Sequence, residues 1–470
     1  MAFICDSTAV HYGSFCKLID CFVHRLISSG VRPGQNIGLA ARHPLNHMLA
    51  SLALYKMGAN QIVLSSQGPL QQSVDEANVA SIITDQKLPP ADVRLLGIDW
   101  MEMMRTGMNA QPTKFAGTEA SSILNLGSGT TGKRKIIRLS GKEFEQQVER
   151  EQLARPISPG DRFLSIPPPD FLIAKRAIYA CLAAGGTTIF IKRDVVVEDV
   201  CDLYAVDHLL MVVIQATRLL ASVTSRNADP SPRLPKLKTL TVRSSPVSER
   251  LRSGLRKLIT PNAWIAYGTN EFGTATVARP EDQQGKPGSI GRVLDGVRLE
   301  VVDDDDKPLP ANKVGHIRMK ASGMFQGYVG FEEETAAALK DGLFYPKDLG
   351  SMSEDGVVTF HGRSDDMIIF EGSNIAPREI EQALEQHAAV EEVAAFALPT
   401  DSMGDIPVAA VTLNQAVSGE QLFNHCYTLL GENAPRRIIP LDEFPHNPAG
   451  KILKQQIKES VLKLISNEPH

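Results

Sequence analysis

The sequence predicts an α/β protein, with a large N-terminal domain of helix-covered parallel sheets, a β-rich subdomain and a small α+β C-terminal domain. Three observations carry this reading. Short apolar strands alternate with amphipathic helices up to about Gly285, the pattern then changes to alternating strands with turns, and the helix–strand rhythm restarts after Asp366. The boundaries this sets are 1–364 for the large domain, about 285–361 for its β-rich part and 365–470 for the small domain.

The elements follow in order. Phe15, Leu18, Ile19, Phe22, Val23, Leu26 and Ile27 recur at spacings of three and four before Gly30, the pattern of an amphipathic helix with its stop. A strand at 36–41, a helix opening near Pro44, a strand at 61–64, a polar helix near Ser73 and a strand at 80–84 come next. After the strand-like run 122–126 and a glycine-rich stretch, 135–139 alternates as a strand. A helix then starts at Ser140, with Glu143 completing a capping box. Strands at 209–214, 237–242 and 264–267 alternate with helices at 216–223 and 248–259. The β-rich part shows strands at 298–302 and 316–320, and the four aspartates Asp303 to Asp306 before Lys307-Pro308 read as a solvated hairpin turn. The small domain shows strands at 367–370, 393–398 and 408–413, with helices at 377–387 and 421–430.

Composition narrows the function. The 470 residues are 43% hydrophobic and 22% charged, within the range of well-packed globular proteins. A net charge of −5 supplies no bulk positive field for nucleic acid or an anionic membrane, so any polyanion must be gripped locally. The six cysteines fall without a C-x-x-C pair or a zinc spacing, as expected of a reducing cytoplasmic setting. A soluble protein without a targeting segment or membrane span is the expectation.

The sharpest local signal is Gly127-Ser128-Gly129-Thr130-Thr131-Gly132-Lys133-Arg134-Lys135. Its glycines let backbone N–H groups turn inward, its hydroxyls add donors and its cations follow, the composition of a phosphate cradle. It nearly spells the P-loop, but Arg134 stands where the magnesium-binding hydroxyl belongs, and a strand, not a helix, follows.

This cradle resembles that of the adenylate-forming (ANL) superfamily of acyl-CoA synthetases, aryl-CoA ligases, luciferases and nonribosomal peptide adenylation domains. Four further segments match the family in the same order: Ala266-Tyr267-Gly268-Thr269-Asn270-Glu271, residues 342–348, Gly362-Arg363-Ser364-Asp365-Asp366, and Asn447-Pro448-Ala449-Gly450-Lys451-Ile452. The resemblance implies an AMP-forming acid–thiol ligase, which makes an acyl-adenylate from a carboxylic acid and ATP, releases pyrophosphate and passes the acyl group to a thiol. Coenzyme A is the first expected acceptor, the phosphopantetheine of an acyl carrier protein the second.

The same resemblance implies roles residue by residue. Ser128, Gly129, Thr130, Thr131, Gly132 and Lys135 hold the ATP phosphates; Glu271 binds Mg2+, and Asn270 offers an amide to the α-phosphate. Tyr267 and Gly268 face adenine across the Ser244-Ser245-Pro246 turn, while Asp348 and Arg363 take the ribose. Lys451 is the cation that bridges the acid and the α-phosphate. Asp365 is the hinge of a mobile small domain, and the loop at Gly372 forms the thiol channel. Asp170 and Phe171 fall at the acyl pocket, where Asp170 reads either as a partner for a substrate ammonium or as an exposed turn acid. Aryl, fatty and amino acids all stay open.

Four departures from the family pattern stand out: Arg134 for proline, Asn270 for threonine, Ser244-Ser245 for Gly-Gly and Pro346-Lys347 for Thr-Gly. None removes a catalytic charge, although Pro346 lacks a backbone N–H. Two rival readings remain, a P-loop-like kinase or ATPase and a non-catalytic nucleotide-binding relative.

Overall fold

Helix Tyr12–Ser28 turns Phe15, Leu18, Phe22, Val23 and Leu26 inward, while Ile27, which fits the same spacing, faces solvent. These coordinates are a computed structural model describing residues 1–470 except 6–7, 65–69, 107–109, 127–134, 192–194, 227–230, 371–372, 401–403, 448–449 and 467–470. The next helix, Pro44–Met57, starts on a proline whose missing N–H no helical bond needs. It stops at Gly58 in the left-handed conformation, where a Cβ would be strained. The two helices share one apolar core with strands of both large sheets, through Ile37 and Leu39 on one side and Phe3 and Phe163 on the other.

Strands Asn36–Ala40, Asn60–Val63, Ser81–Thr84, Arg94–Gly97 and Ser122–Leu126 run parallel in a seven-stranded sheet. Ile136–Ser140 and Tyr328–Val329 extend it antiparallel. Parallel pairing recurs in the second sheet through Phe3–Cys5, Thr187–Phe190, Arg162–Ser165, His208–Val212, Thr239–Arg243 and Ala263–Thr269. Helices cover these strands, as alternation of the two element types requires.

Gly273–Ala278 and, in the β-rich part, Ser289–Val293 and Val357–Arg363 continue the second sheet antiparallel, giving it 15 strands among the described residues. Two expectations are corrected. The strand expected at 209–214 ends at Val212, because Gln215 Oε1 accepts from the Val212 N–H at 3.1 Å and the chain enters helix Val213–Arg226. The helix expected at 248–259 is α-helical only over Glu249–Gly254 and widens to a π turn at Leu255–Ile259.

In the small domain, Val390–Thr400 and Gly404–Leu413 form a long antiparallel pair, and Arg437–Pro440 adds a parallel strand. Helices Pro377–Glu385 and Gly419–Leu430 seal a core of Ile380, Leu384, Ala394, Val408, Ala410, Leu422 and Cys426. None of the six cysteines forms a disulfide. Among the described residues no helix is long and apolar enough to cross a membrane.

Candidate functional site

The site gathers where the second sheet changes from parallel to antiparallel. Strand Ala263–Thr269 turns back through Asn270, Glu271 and Phe272 into Gly273–Ala278. The register slips between Tyr267 and Gly268, and a Cβ on Gly268 would lie 2.1 Å from the Gly273 carbonyl oxygen, so only glycine fits this close approach. The slip leaves the Tyr267 side chain half-buried, facing strand Asp348–Met352.

There the Tyr267 hydroxyl donates to Asp348 Oδ2 at 2.6 Å, and Arg363 Nη1 approaches Asp348 Oδ1 at 3.5 Å. Asp348 is 6% exposed. Burial pushes its carboxyl up to about 6, against the pull of the Tyr267 hydrogen bond, Arg363 and Lys451. Arg363 also forks onto Asp365 at 2.8 and 2.9 Å, so the ribose and hinge positions of the sequence reading are joined by one guanidinium.

The Lys451 turn comes from the other domain to the same place. Asn447 closes it twice: its Oδ1 accepts from the Lys451 N–H at 2.9 Å and its carbonyl from the Gly450 N–H at 2.8 Å. Gly450 has φ of 74°, and a Cβ there would lie 2.2 Å from Ile214 Cγ2, so the turn rests directly on the large domain. The Lys451 ammonium stays exposed and within electrostatic reach of Asp348.

Glu271 lies in the turn between strands Ala263–Thr269 and Gly273–Ala278. The Tyr328 hydroxyl donates to its Oε1 at 3.1 Å, while the Glu271 carbonyl accepts from the Phe325 N–H at 2.8 Å and from Gln147 Nε2 at 3.4 Å. Arg150 donates to the carbonyls of Phe272 and Ser322, and Arg176 Nη1 reaches the Asn270 carbonyl at 3.4 Å. Three successive carbonyls of the turn are thus held from helices Gly141–Ala154 and Leu172–Ala183. Beneath them Glu151 pairs with Arg243 at 2.7 Å; burial alone would raise its carboxyl, but Arg243, Arg155 and Arg176 hold it low. The sequence reading missed Tyr328, Gln147, Arg150 and Arg176. For Arg176 a signal existed, since Lys175-Arg176 interrupts an otherwise apolar helix and both side chains are buried.

Among the described residues no three His, Cys, Asp or Glu side chains cluster as a metal cage. A single carboxylate is chemically sufficient for a magnesium ion that arrives with ATP and keeps most ligands as phosphate oxygens and water. Of the cradle, Ser128, Gly129, Thr130, Thr131 and Gly132 lie outside the described residues, as does Gly372. Lys135 is described, its Nζ 5.1 Å from the centre of the Tyr328 ring. Strand Ile136–Ser140 follows the cradle directly, and the Ser140–Glu143 capping box opens the helix only afterwards, which excludes a P-loop. Asp170 is exposed, and the half-buried Phe171 precedes helix Leu172–Ala183.

Two family departures gain a physical meaning. Ser244 (φ 85°) and Lys347 (φ 65°) both occupy left-handed backbone, where glycine is unstrained. Ser244 and Pro246 are exposed and Ser245 half-buried, in the turn after strand Thr239–Arg243. Ser244→Gly and Lys347→Gly are each expected to stabilise the fold by about 0.5–1 kcal/mol: relief of ~1–2 kcal/mol less the entropy glycine adds to the unfolded chain. Urea denaturation of the two variants measures this, and unchanged midpoints would mean the left-handed conformations cost nothing.

Comparison with known proteins decides the family. The profile described as AMP-binding enzyme matches residues 1–329, and that of the AMP-binding enzyme C-terminal domain matches 379–451. The chain belongs to the AMP-binding enzyme family. As such it is an ATP-dependent ligase of the acid–thiol class, acting through an acyl-adenylate. It is 26% identical to 4-coumarate–CoA ligase-like 9 of Oryza sativa subsp. japonica, over 96% of this chain and 88% of that one. To 2-succinylbenzoate–CoA ligase of Bacillus cereus it is 25% identical, over 95% and 92%. In fold it resembles ATP-bound MatB from Rhodopseudomonas palustris, with a TM-score of 0.86 at 23% identity over 98% and 96% of the two chains. The o-succinylbenzoate CoA synthetase of Bacillus subtilis, solved with its acyl-adenylate, gives 0.85 at 21% identity over 97% and 95%.

Proposed function

We propose that this enzyme joins a small-molecule carboxylic acid to coenzyme A, with the residues above as its machinery. The observation that carries the reading is the meeting of Tyr267, Asp348 and Arg363 with the Lys451 turn of the other domain at one place. A buried carboxylate that already accepts from a phenol and a guanidinium is built to take the paired hydroxyls of a ribose, and the Tyr267 ring beside it offers a face to adenine. Arg363 keeps Asp348 oriented. Lys451 lies exposed next to the sugar position, where a cation stabilises charge that develops as the acid attacks the α-phosphorus. Asn270 adds an amide donor to the same phosphate, and Glu271 would hold magnesium. Ser128 to Gly132 and Lys135 grip the β- and γ-phosphates. Bound magnesium would neutralise phosphate oxygens and lower the cost of pyrophosphate leaving.

The relatives' names favour coenzyme A as acceptor over a carrier-protein phosphopantetheine. In the second half-reaction Asp365 serves as the hinge, Lys451 departs and the Gly372 loop replaces it, so that one pocket serves both steps. Asp170 and Phe171 belong to the acyl entrance; the exposure of Asp170 favours a turn acid over an ammonium partner.

The test is exchange of labelled pyrophosphate into ATP across a panel of aryl, fatty, dicarboxylic and amino acids, followed by addition of coenzyme A or phosphopantetheinylated carrier protein. Acid-dependent exchange and AMP release on adding coenzyme A are expected. ADP release, or turnover with the carrier protein alone, would overturn the reading.

A further inference from the structure

Glu271 and Lys135 come from different sheets. Glu271 follows strand Ala263–Thr269 of the second sheet, and Lys135 precedes strand Ile136–Ser140 of the first. One side chain touches both: the Tyr328 hydroxyl donates to Glu271 Oε1 at 3.1 Å, and the Lys135 ammonium stands 5.1 Å from the centre of its ring. A cation at that distance from an aromatic face is attracted by the ring's quadrupole, while the phenol donates in the ring plane, so the two contacts do not compete.

The tyrosine itself is firmly placed. Strand Tyr328–Val329 pairs antiparallel with the strand that leaves the cradle, in the register Tyr328 to Ile137 and Val329 to Ile136. The Tyr328 N–H donates to Thr335 Oγ1 at 2.9 Å, and the Phe325 ring packs edge-on against it at 4.9 Å. Gly327 makes this approach possible, since a Cβ there would lie 2.7 Å from Thr335 Cγ2. The segment is also tied to the Glu271 backbone: the Phe325 N–H donates to the Glu271 carbonyl, and Gln147 bridges that carbonyl and the one of Gly323. Glu271 is thus fixed at its carbonyl and at its carboxylate by one stretch of chain.

We propose that Tyr328 is a positioning residue for adenylation, setting the separation between the metal-binding carboxylate of Glu271 and the phosphate-gripping ammonium of Lys135. This rests on the reading that both groups face ATP. It assigns the phenol and the ring separate tasks. The phenol fixes which Glu271 oxygen is free to turn toward the metal; the ring keeps Lys135 from folding away before nucleotide binds. A pre-set pair loses less on binding than two side chains ordered at that moment.

Tyr328→Phe retains the ring and removes the donor, and Tyr328→Leu removes both. Each is assayed beside wild type for Mg2+ dependence of pyrophosphate exchange, for Mn2+ binding in the presence of ATP by electron paramagnetic resonance, for thioester formation from supplied acyl-adenylate, and for melting temperature. Tyr328→Phe is expected to raise the half-saturating Mg2+ concentration and weaken Mn2+ binding roughly tenfold, the scale for one hydrogen bond to a charged group. Tyr328→Leu is expected also to raise KM for ATP. Thioester formation should stay within about twofold in both, since neither group is needed once pyrophosphate has left. Wild-type metal dependence in Tyr328→Phe overturns the inference, as does equal loss in both half-reactions with a lowered melting temperature. If the wild type exchanges with no acid, the proposed function fails instead, and the Mn2+ titrations with ATP decide the role of Tyr328 by themselves.

Discussion

Lys451→Ala lowers adenylation by roughly 10²–10³-fold, the scale for losing one preorganised charge at a developing anion, and spares thioester formation from supplied acyl-adenylate. The asymmetry follows from the position of the turn. Its conformation is set by Asn447 through the backbone of Gly450 and Lys451, so truncating an exposed side chain leaves the turn closed and the melting temperature unchanged. What disappears is an ammonium within electrostatic reach of Asp348. That charge matters while the α-phosphate is under attack and is not needed when a thiol attacks the finished adenylate. Single-turnover measurement of the two half-reactions separates the roles. Equal losses in both, or a drop in melting temperature, would make Lys451 a structural residue.

The parallel strands and their helices were legible because local pattern carries them: apolar residues at three-and-four spacing, glycine stops and the Ser140–Glu143 box all act within a few residues. The end of the strand at Val212 was not, because Val213 and Ile214 prolong the apolar run although helix Val213–Arg226 has already begun, with Gln215 Oε1 accepting from the Val212 N–H. How the β-rich part joins the large domain was not legible for a similar reason. Its continuity with the second sheet rests on pairing between Gly273–Ala278 and Ser289–Val293, which no local periodicity records.

The site divides along the same line. Tyr267, Glu271, Asp348, Arg363 and Lys451 were named because each sits in a segment that resembles a motif of the adenylate-forming superfamily, and the structure brings Tyr267, Asp348 and Arg363 into contact. Tyr328 and Arg176 carry no such motif. Their partners lie 57 and 94 positions away along the chain, so the contacts exist only once the sheets are assembled. Ser244 and Lys347 show the converse: their departure from the family's glycines was visible in sequence, but its meaning needed the left-handed φ values.

Asp365→Pro should depress thioester formation by roughly 10²-fold or more while lowering adenylation only a few-fold, the penalty for a misplaced proline being about 3 kcal/mol. In the arrangement with the Lys451 turn against the large domain, Ser364–Asp366 forms one 3-10 turn, whose φ of about −50 to −70° proline shares. The substitution therefore retains this state apart from a smaller cost at Ser364, which a following proline biases away from helical backbone. A second arrangement that presents another face of the small domain needs different dihedrals at this junction, and a locked φ withholds it. The variant also removes the Arg363–Asp365 fork, and Arg363 is the residue that steadies Asp348. Asp365→Ala isolates that effect, losing the carboxylate but not the backbone freedom. Adenylation should then fall alike in the two variants, with transfer impaired in the proline variant alone. Transfer at the wild-type rate in Asp365→Pro would place the hinge elsewhere; equal impairment in both variants would assign the loss to the ion pair.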